Sequence, residues 1–225
     1  MSKLHSKRGR LLAHLEAWLI DHEILRIWFR NFYRLAPRHS DTLAFRSNHP
    51  SPRFLRKLKQ RFGLKTVLSL RAANQTGQYL LEKEACDQLG IELINVPISS
   101  RNFPKKDKLE QVITLLQSLD YPLLIHCKSG ADRAGLVSVL FKHFVQGEPI
   151  AEARKQLSMK YGHFRWADTG KLDYLFDEFE RFQTDHPEVS FHQWVQQHYD
   201  RDQLNQTFHA SGWANIVVNK ILHRE

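Results

Sequence analysis

The residues with the clearest chemical potential form one short loop in which five residues separate a cysteine from an arginine. A tight loop that opens a helix directs backbone N–H groups and the positive helix end at one point, which suits a phosphate dianion. Gly130 lets the backbone curl inward without a clashing Cβ, and Arg133 offers a planar fork for two phosphate oxygens. The pattern predicts a phosphate-binding loop around Cys127, with Lys128, Ser129, Gly130 and Ala131 as phosphate contacts. The full run is His126-Cys127-Lys128-Ser129-Gly130-Ala131-Asp132-Arg133.

The same loop suits nucleophilic chemistry at phosphorus. The thiolate is the reactive form of cysteine, and a ring of positive charge favours that form at Cys127. We therefore predict that Cys127 attacks phosphorus while Arg133 holds the phosphoryl oxygens. A Walker nucleotide loop is rejected, because Leu136 stands where that loop needs lysine. A sulfur-transfer loop of the rhodanese type also places a cysteine among anion-binding amides, but the His-Cys start and the five-residue spacing favour phosphate chemistry.

Cysteine and histidine usage predicts neither a disulfide framework nor a metal centre. Cys86 and Cys127 are the two cysteines of the chain, which is typical of proteins from a reducing compartment. The thirteen histidines include no HExxH motif. We therefore expect catalysis without metal or cofactor, and a regulatory bond between the two cysteines stays open.

Segments upstream of the loop alternate between strand-like and helix-like patterns. Such alternation predicts an α/β fold with a mainly parallel central sheet flanked by helices. The helical segments 52–62 and 79–89 are closed by Gly63 and Gly90. The predicted strands are 42–46 (as an edge strand), 65–70, 91–96 and 122–127, and the predicted helices of this half are 52–62, 79–89 and 106–119.

Both ends of the chain are predicted to add helices. Residues 8–36 repeat apolar and charged positions at helical spacing, and their Trp and Phe content makes the helix amphipathic. We expect an N-terminal amphipathic extension over 1–37, a domain carrying the loop over 38–183, and C-terminal helices packed on that domain over 184–225. The predicted helices after the loop are 133–146, 149–161, 169–183, 189–200 and 202–223.

With these motifs in hand, the sequence resembles the tyrosine/dual-specificity phosphatase superfamily, in particular its atypical bacterial branch. The resemblance covers about residues 40–180 and implies Cys127 as nucleophile, Arg133 as phosphate clamp, a phosphocysteine intermediate and no metal. The matching pieces are Phe45-Arg46-Ser47, Val67-Leu68-Ser69-Leu70-Arg71, Val96-Pro97 and the signature loop.

Two positions depart from the family pattern. Many members carry a general-acid Asp some 25–35 residues before the cysteine, but residues 97–104 contain no carboxylate. Because the leaving oxygen still needs a proton, we predict Asp132 as the general acid, with Asp107 as the second candidate. Ala134 stands where relatives often have a hydroxyl that assists thiolate departure, which suggests a slower second step.

Several further cations are candidates for the site. Arg71 ends a predicted strand and either faces the phosphate or braces the loop, and Arg101 lies where the missing acid would be. Lys128 points from the loop rim towards a second negative group on the substrate. His163 or Arg165, in a turn between helices, could also reach the site.

The charge balance limits the partners. Thirty-three Lys and Arg against 24 Asp and Glu give a formal charge of +9, which attracts anionic partners. We expect a phosphorylated protein, or an anionic phosphorylated lipid or glycan, as substrate. Nucleic acid is disfavoured, because the basic run 53–61 forms an ordinary amphipathic helix. We expect a cytoplasmic protein, with possible peripheral contact to the inner membrane surface through residues 1–37.

Overall fold

The structure is a computed structural model that describes residues 6–19 and 30–210. The chain divides into two compact units. Met1–Pro97 and Leu119–Gly130 form the first, and Ile98–Ser118 and Ala131–Glu225 form the second. The division falls inside the signature loop, between Gly130 and Ala131.

The first unit is built on a five-stranded sheet in the order β1-β2-β5-β3-β4. β2, β5, β3 and β4 run parallel to their neighbours, whereas β1 pairs antiparallel with β2. The mainly parallel α/β sheet predicted from the alternation of segments is therefore confirmed. The strands are β1 Tyr33–Arg34, β2 Ala44–Ser47, β3 Thr66–Ser69, β4 Glu92–Asn95 and β5 Leu123–His126.

Within residues 6–19 and 30–97 of this unit, three helices accompany the sheet: α1 Lys7–Leu19, α2 Pro52–Phe62 and α3 Gly77–Leu89. Ser51 and Thr76 cap the N-termini of α2 and α3, and Gly63 and Gly90 end them in the left-handed conformation, as predicted. The apolar faces of α2 and α3 pack on the sheet in one buried cluster that includes Leu43, Phe45, Phe54, Leu55, Leu58, Val67, Ala85, Cys86 and Leu124.

The N-terminal predictions are partly wrong. Tyr33–Arg34 is a strand rather than the end of a helix, and its pairing makes β2 an inner strand instead of the predicted edge. Of the helix predicted over 8–36, residues 8–19 are helical as part of α1, residues 30–36 are not helical, and residues 20–29 lie outside the described part. α1 packs closely on α3, since a Cβ at Gly77 would lie 2.4 Å from the Ala13 carbonyl oxygen.

As far as Ala210, the second unit is helical, and the helices described there are α4 Lys106–Ser118, α5 Asp132–Phe144, α6 Ile150–Ala153, α7 Lys171–Asp185, α8 Phe191–Gln197 and α9 Arg201–Ala210. An aromatic core of Phe176, Phe179, Phe191 and Trp194 joins α7 to α8. The single helix predicted over 149–161 is wrong: α6 stops after one turn, and two 3₁₀ turns follow. The last predicted helix is described as far as Ala210.

Among residues 6–19 and 30–210, no helix has the length and apolar character needed to cross a membrane.

Candidate active site

The nucleophile candidate lies directly after the buried strand β5. Cys127 is buried, and the Gly130 N–H donates to its Sγ at 3.2 Å. A backbone donor aimed at sulfur stabilises a negative charge there. Lys128 and Ser129 are exposed on the outer side of the loop, and the Ser129 carbonyl accepts a hydrogen bond from Asn31 Nδ2 at 3.1 Å. This half of the loop therefore directs the Gly130 N–H at the sulfur.

Gly130 fits its position because the backbone there is left-handed and closely packed. Its φ is +79°, and a Cβ would lie 2.6 Å from the Asn48 nitrogen and from the Ser47 carbonyl carbon. The Arg46 side chain, fully buried, donates from Nη2 to the Gly130 carbonyl oxygen at 2.8 Å. The buried Arg46 guanidinium and the backbone at the end of β2 therefore support the loop.

Substituting Gly130 by alanine should therefore disrupt the loop. We expect Gly130→Ala to weaken binding of vanadate, a phosphate mimic, by at least about tenfold, because the backbone contacts at 2.6 Å cannot give way as a flexible side chain would. Gly63→Ala is the matched control, since Gly63 has a φ of +66° with nothing within 4 Å of its would-be Cβ. It should cost about 1 kcal/mol of stability and leave vanadate affinity unchanged. Equal vanadate affinity in both variants would contradict this account of the loop.

A buried polar cluster lies below the loop in the same unit. Glu82 on α3 places Oε1 2.7 Å from His126 Nε2 and Oε2 3.8 Å from His49 Nδ1. Glu82 Oε1 and His126 Nε2 are both buried and face each other. Burial raises the pKa of Glu82, but His126, His49 and Arg71 outweigh it and bring the pKa below its usual value. The cluster therefore holds an ionised carboxylate beneath the start of the loop.

The Glu82 carboxylate also fixes the ring of His126. The opposite ring nitrogen, Nδ1, lies 3.2 Å from the Cys127 carbonyl oxygen and donates to it.

Among the described residues, one set of side chains has ligand atoms close enough to hold a metal ion, within 4.8 Å of one another: His49, Glu82 and His126. Because the close contact between Glu82 and His126 already joins two of these side chains, we interpret the set as support for the loop.

Arg71 belongs to this cluster. It lies two residues after β3, is half-buried, and donates from Nη1 to Gln78 Oε1, while Nη1 lies 3.3 Å from His49 Nδ1. Its contacts favour the bracing role over the phosphate-facing role that the sequence left equally open.

The second half of the loop opens helix α5. Arg133 is half-buried, and its Nη1 approaches the Ile98 carbonyl oxygen at 3.5 Å. Ile98 begins the segment in which relatives carry their acid. Arg101 of that segment is exposed, and so is Asp107 in the first turn of α4.

Asp132 lies in a chain of three side chains from three elements. Its Oδ1 is 2.8 Å from His163 Nδ1, and His163 Nε2 is 2.7 Å from Asp173 Oδ2. His163 follows a 3₁₀ turn that Gly162 ends with a φ of +74°, and Asp173 lies in the first turn of α7. His163 is 1 % exposed, whereas the Asp132 side chain is 21 % exposed. Arg165 points elsewhere, to Asp177.

The two carboxylates make His163 unusually basic. Burial alone would lower its pKa, but hydrogen bonds to Asp132 and Asp173 raise the pKa to about 9. Since the folded pKa exceeds the ordinary value of 6.5, the imidazolium contributes stability that is complete below about pH 6.5 and is lost as the pH rises through about 9. At neutral pH both ring nitrogens donate.

The other cysteine is a core residue. Cys86 is fully buried on α3, and both cysteines are free. Burial, together with the nearby charges of Glu82 and Asp87, raises its pKa to about 12.

Sequence reasoning missed four residues of these networks: Arg46 as a loop support, His49, Glu82 and Asp173. Glu82 carried a signal, since it shares the inward face of α3 with Gln78, Ala85 and Cys86 at helical spacing. His49 and Asp173 carried none, because a single histidine or aspartate near a turn is usually a surface residue or a cap.

A cysteine and an arginine separated by five residues, after a buried strand of a mainly parallel sheet, define a chain of the tyrosine/dual-specificity phosphatase superfamily. The family model described as "DSP-PTPase phosphatase fused to NAD+ Kinase" matches residues 36–171, more than half of the chain. The chain belongs to this family. No curated protein matches it.

Solved structures of phosphatases share the fold. PTPMT1 matches with a TM-score of 0.50 and 14% identity over 70% of this chain and 98% of its own. TpbA of P. aeruginosa matches with a TM-score of 0.46 and 24% identity over 64% of this chain and 88% of its own. The core catalytic domain of the PP-IP phosphatase SIW14 from S. cerevisiae, in complex with citrate, matches with a TM-score of 0.44 and 22% identity over 81% of this chain and 93% of its own.

Proposed function

We propose that this phosphatase hydrolyses phosphate monoesters through a phosphocysteine intermediate on Cys127. The observation that carries the proposal is the cysteine thiol at the end of β5, towards which the Gly130 N–H donates at 3.2 Å, within a motif that continues to Arg133. Such a loop binds the phosphoryl group through N–H donors and stabilises a thiolate through the same donors.

The reaction takes two steps. In the first, the Cys127 thiolate forms an S–P bond as the P–O bond of the ester breaks, and Asp132 gives a proton to the leaving oxygen. In the second, water attacks phosphorus, its proton returns to Asp132, and the thiolate leaves. Arg133 and the loop amides bind the phosphoryl oxygens in both steps. Ala134 has no hydroxyl to assist the departing sulfur, so we expect the second step to be slower than in relatives that carry one.

Trapping the intermediate tests this proposal. With p-nitrophenyl phosphate and a metal chelator present, acid quenching during turnover should leave one phosphoryl group on the peptide that contains Cys127, as measured by mass spectrometry. Turnover that requires a metal, or phosphate on another residue, would contradict the mechanism. Tight vanadate binding with no turnover would instead favour a phosphate-binding adaptor.

The first candidate substrate is a phosphorylated protein, as for tyrosine or dual-specificity phosphatases. The second candidate is a phosphorylated lipid head group or glycan. Helix α1 favours the second, because it exposes Leu11, Leu12 and Leu15 beside the exposed Arg8, an arrangement suited to an anionic membrane surface. Comparing kcat/KM for phosphopeptides, phosphosugars and phospholipids in vesicles separates the two classes. A preference for soluble phosphopeptides, with no sedimentation on anionic vesicles, would remove the lipid candidate.

A further inference from the structure

We infer that His163 is a positioning residue that stores the proton which Asp132 delivers to the leaving oxygen. The inference rests on the proposed function and names the residue that supplies the proton to Asp132. In many relatives a dedicated Asp upstream of the cysteine does this work, but residues 97–104 of this chain contain no carboxylate.

The first argument is geometric. A carboxylate accepts and an imidazolium donates, so the contacts of 2.8 Å to Asp132 and 2.7 Å to Asp173 place both N–H bonds of His163 on acidic partners. Asp173 is buried, with a side chain 8 % exposed. Asp132 is the more exposed end of the chain. One end therefore anchors the ring, and the other end is free to exchange a proton.

The second argument is proton balance. One mobile proton lies between His163 Nδ1 and Asp132 Oδ1. When it resides on Asp132, the carboxyl group protonates the leaving oxygen, and His163 remains neutral with its other proton on Nε2 facing Asp173. When water later attacks the phosphocysteine, its proton returns to this pair and reloads it. The cycle consumes no co-reactant.

The third argument is the pH range over which the pair stays loaded. An isolated aspartate has a pKa of about 4 and is ionised at neutral pH, so alone it would be a poor acid there. With His163 holding the proton up to about pH 9, the pair carries it across the physiological range. Asp132 at the start of α5 and Asp173 on α7 are the charges in contact with His163. Farther out, Arg154 donates to the Asp173 carbonyl and pairs with Asp177 and Glu180, and Arg165 also pairs with Asp177.

The test compares an alkyl phosphate, whose leaving oxygen needs a proton, with p-nitrophenyl phosphate, whose leaving group departs readily without one. At pH 7, His163→Gln should lower the ratio of kcat/KM for the alkyl substrate to kcat/KM for the aryl substrate by about 10²-fold, the usual size of general-acid catalysis. For the unmodified chain, kcat/KM on the alkyl substrate should fall only above about pH 9. Asp173→Asn should move that alkaline limb down by about one to two pH units.

Asp177→Asn is the matched control, because Asp177 lies one turn after Asp173 on α7 and pairs with Arg154 and Arg165 instead of His163. This variant should change neither the ratio of activity on the alkyl substrate to activity on the aryl substrate nor the pH at which activity on the alkyl substrate falls. Equal losses on both substrates in His163→Gln would show a purely structural role and overturn the inference. If that variant does not fold, the decision falls to the unmodified chain: an alkaline limb below about pH 6 on the alkyl substrate would also overturn it.

The two proposals fail separately. Trapped phosphocysteine with an unchanged substrate ratio in His163→Gln would remove the proton store and leave the phosphatase mechanism intact. Absence of the phosphocysteine would remove the mechanism itself.

Discussion

Cys127→Ser is expected to lower kcat on p-nitrophenyl phosphate by on the order of 10⁵-fold, within the range seen when an enzyme loses its covalent nucleophile. A serine hydroxyl is far less acidic than a thiol, and the donors around it are too few to ionise it at neutral pH. The Gly130 N–H that donates to sulfur can still donate to the serine oxygen, so the loop should keep its shape. Vanadate or substrate binding should therefore survive.

Steady-state kinetics on purified protein, with binding measured in parallel, checks this prediction. Cys86→Ser is the matched control, because the Cys86 thiol lies in the core cluster of α3. It should retain kcat and lose only some stability. Undiminished turnover in Cys127→Ser would mean that another group attacks phosphorus.

Arg133→Ala should lower kcat/KM by about 10³-fold, the lower end of the range measured for arginines that stabilise phosphoryl transfer. A guanidinium binds two phosphoryl oxygens in one plane and neutralises charge that builds up in the transition state. Arg133→Lys should recover only part of the loss, because an ammonium provides the charge without the planar fork.

Arg181→Ala provides the comparison, since Arg181 is an exposed arginine of the same unit that pairs with Glu178 on its own helix. It should change kcat/KM by less than about threefold, since surface ion pairs contribute little. Full recovery in Arg133→Lys would reduce the role of Arg133 to a point charge.

Much of the fold could be predicted because local signals agreed with the tertiary structure. The apolar strands and the terminal Gly63 and Gly90 each marked an element within one or two residues of its bounds. Strand β1 could not be predicted, since Tyr33–Arg34 is only two residues long and follows a segment with helical periodicity. The two 3₁₀ turns after α6 could not be predicted either, because the apolar spacing over 149–161 does not distinguish α from 3₁₀ turns.

The candidate site could be predicted only as far as its residues are contiguous. The run from His126 to Arg133 contains both the candidate nucleophile and the candidate phosphate clamp, and the family resemblance implied the two-step mechanism. The networks that hold it are assembled from distant parts of the chain, as Glu82 with His126 and Asp173 with His163 illustrate. No spacing rule connects such pairs, and only the packing of helices on strands, or of one helix on another, brings them within 3 Å.

The burial of Cys86 has a practical consequence for labelling. A thiol whose pKa is raised to about 12 is almost wholly protonated at neutral pH and reacts sluggishly with electrophiles. The chain therefore behaves towards alkylating reagents as if it had one cysteine. Mass added by a brief treatment with iodoacetate reports occupancy of the signature loop directly, and protection by vanadate can be followed on the unmodified protein.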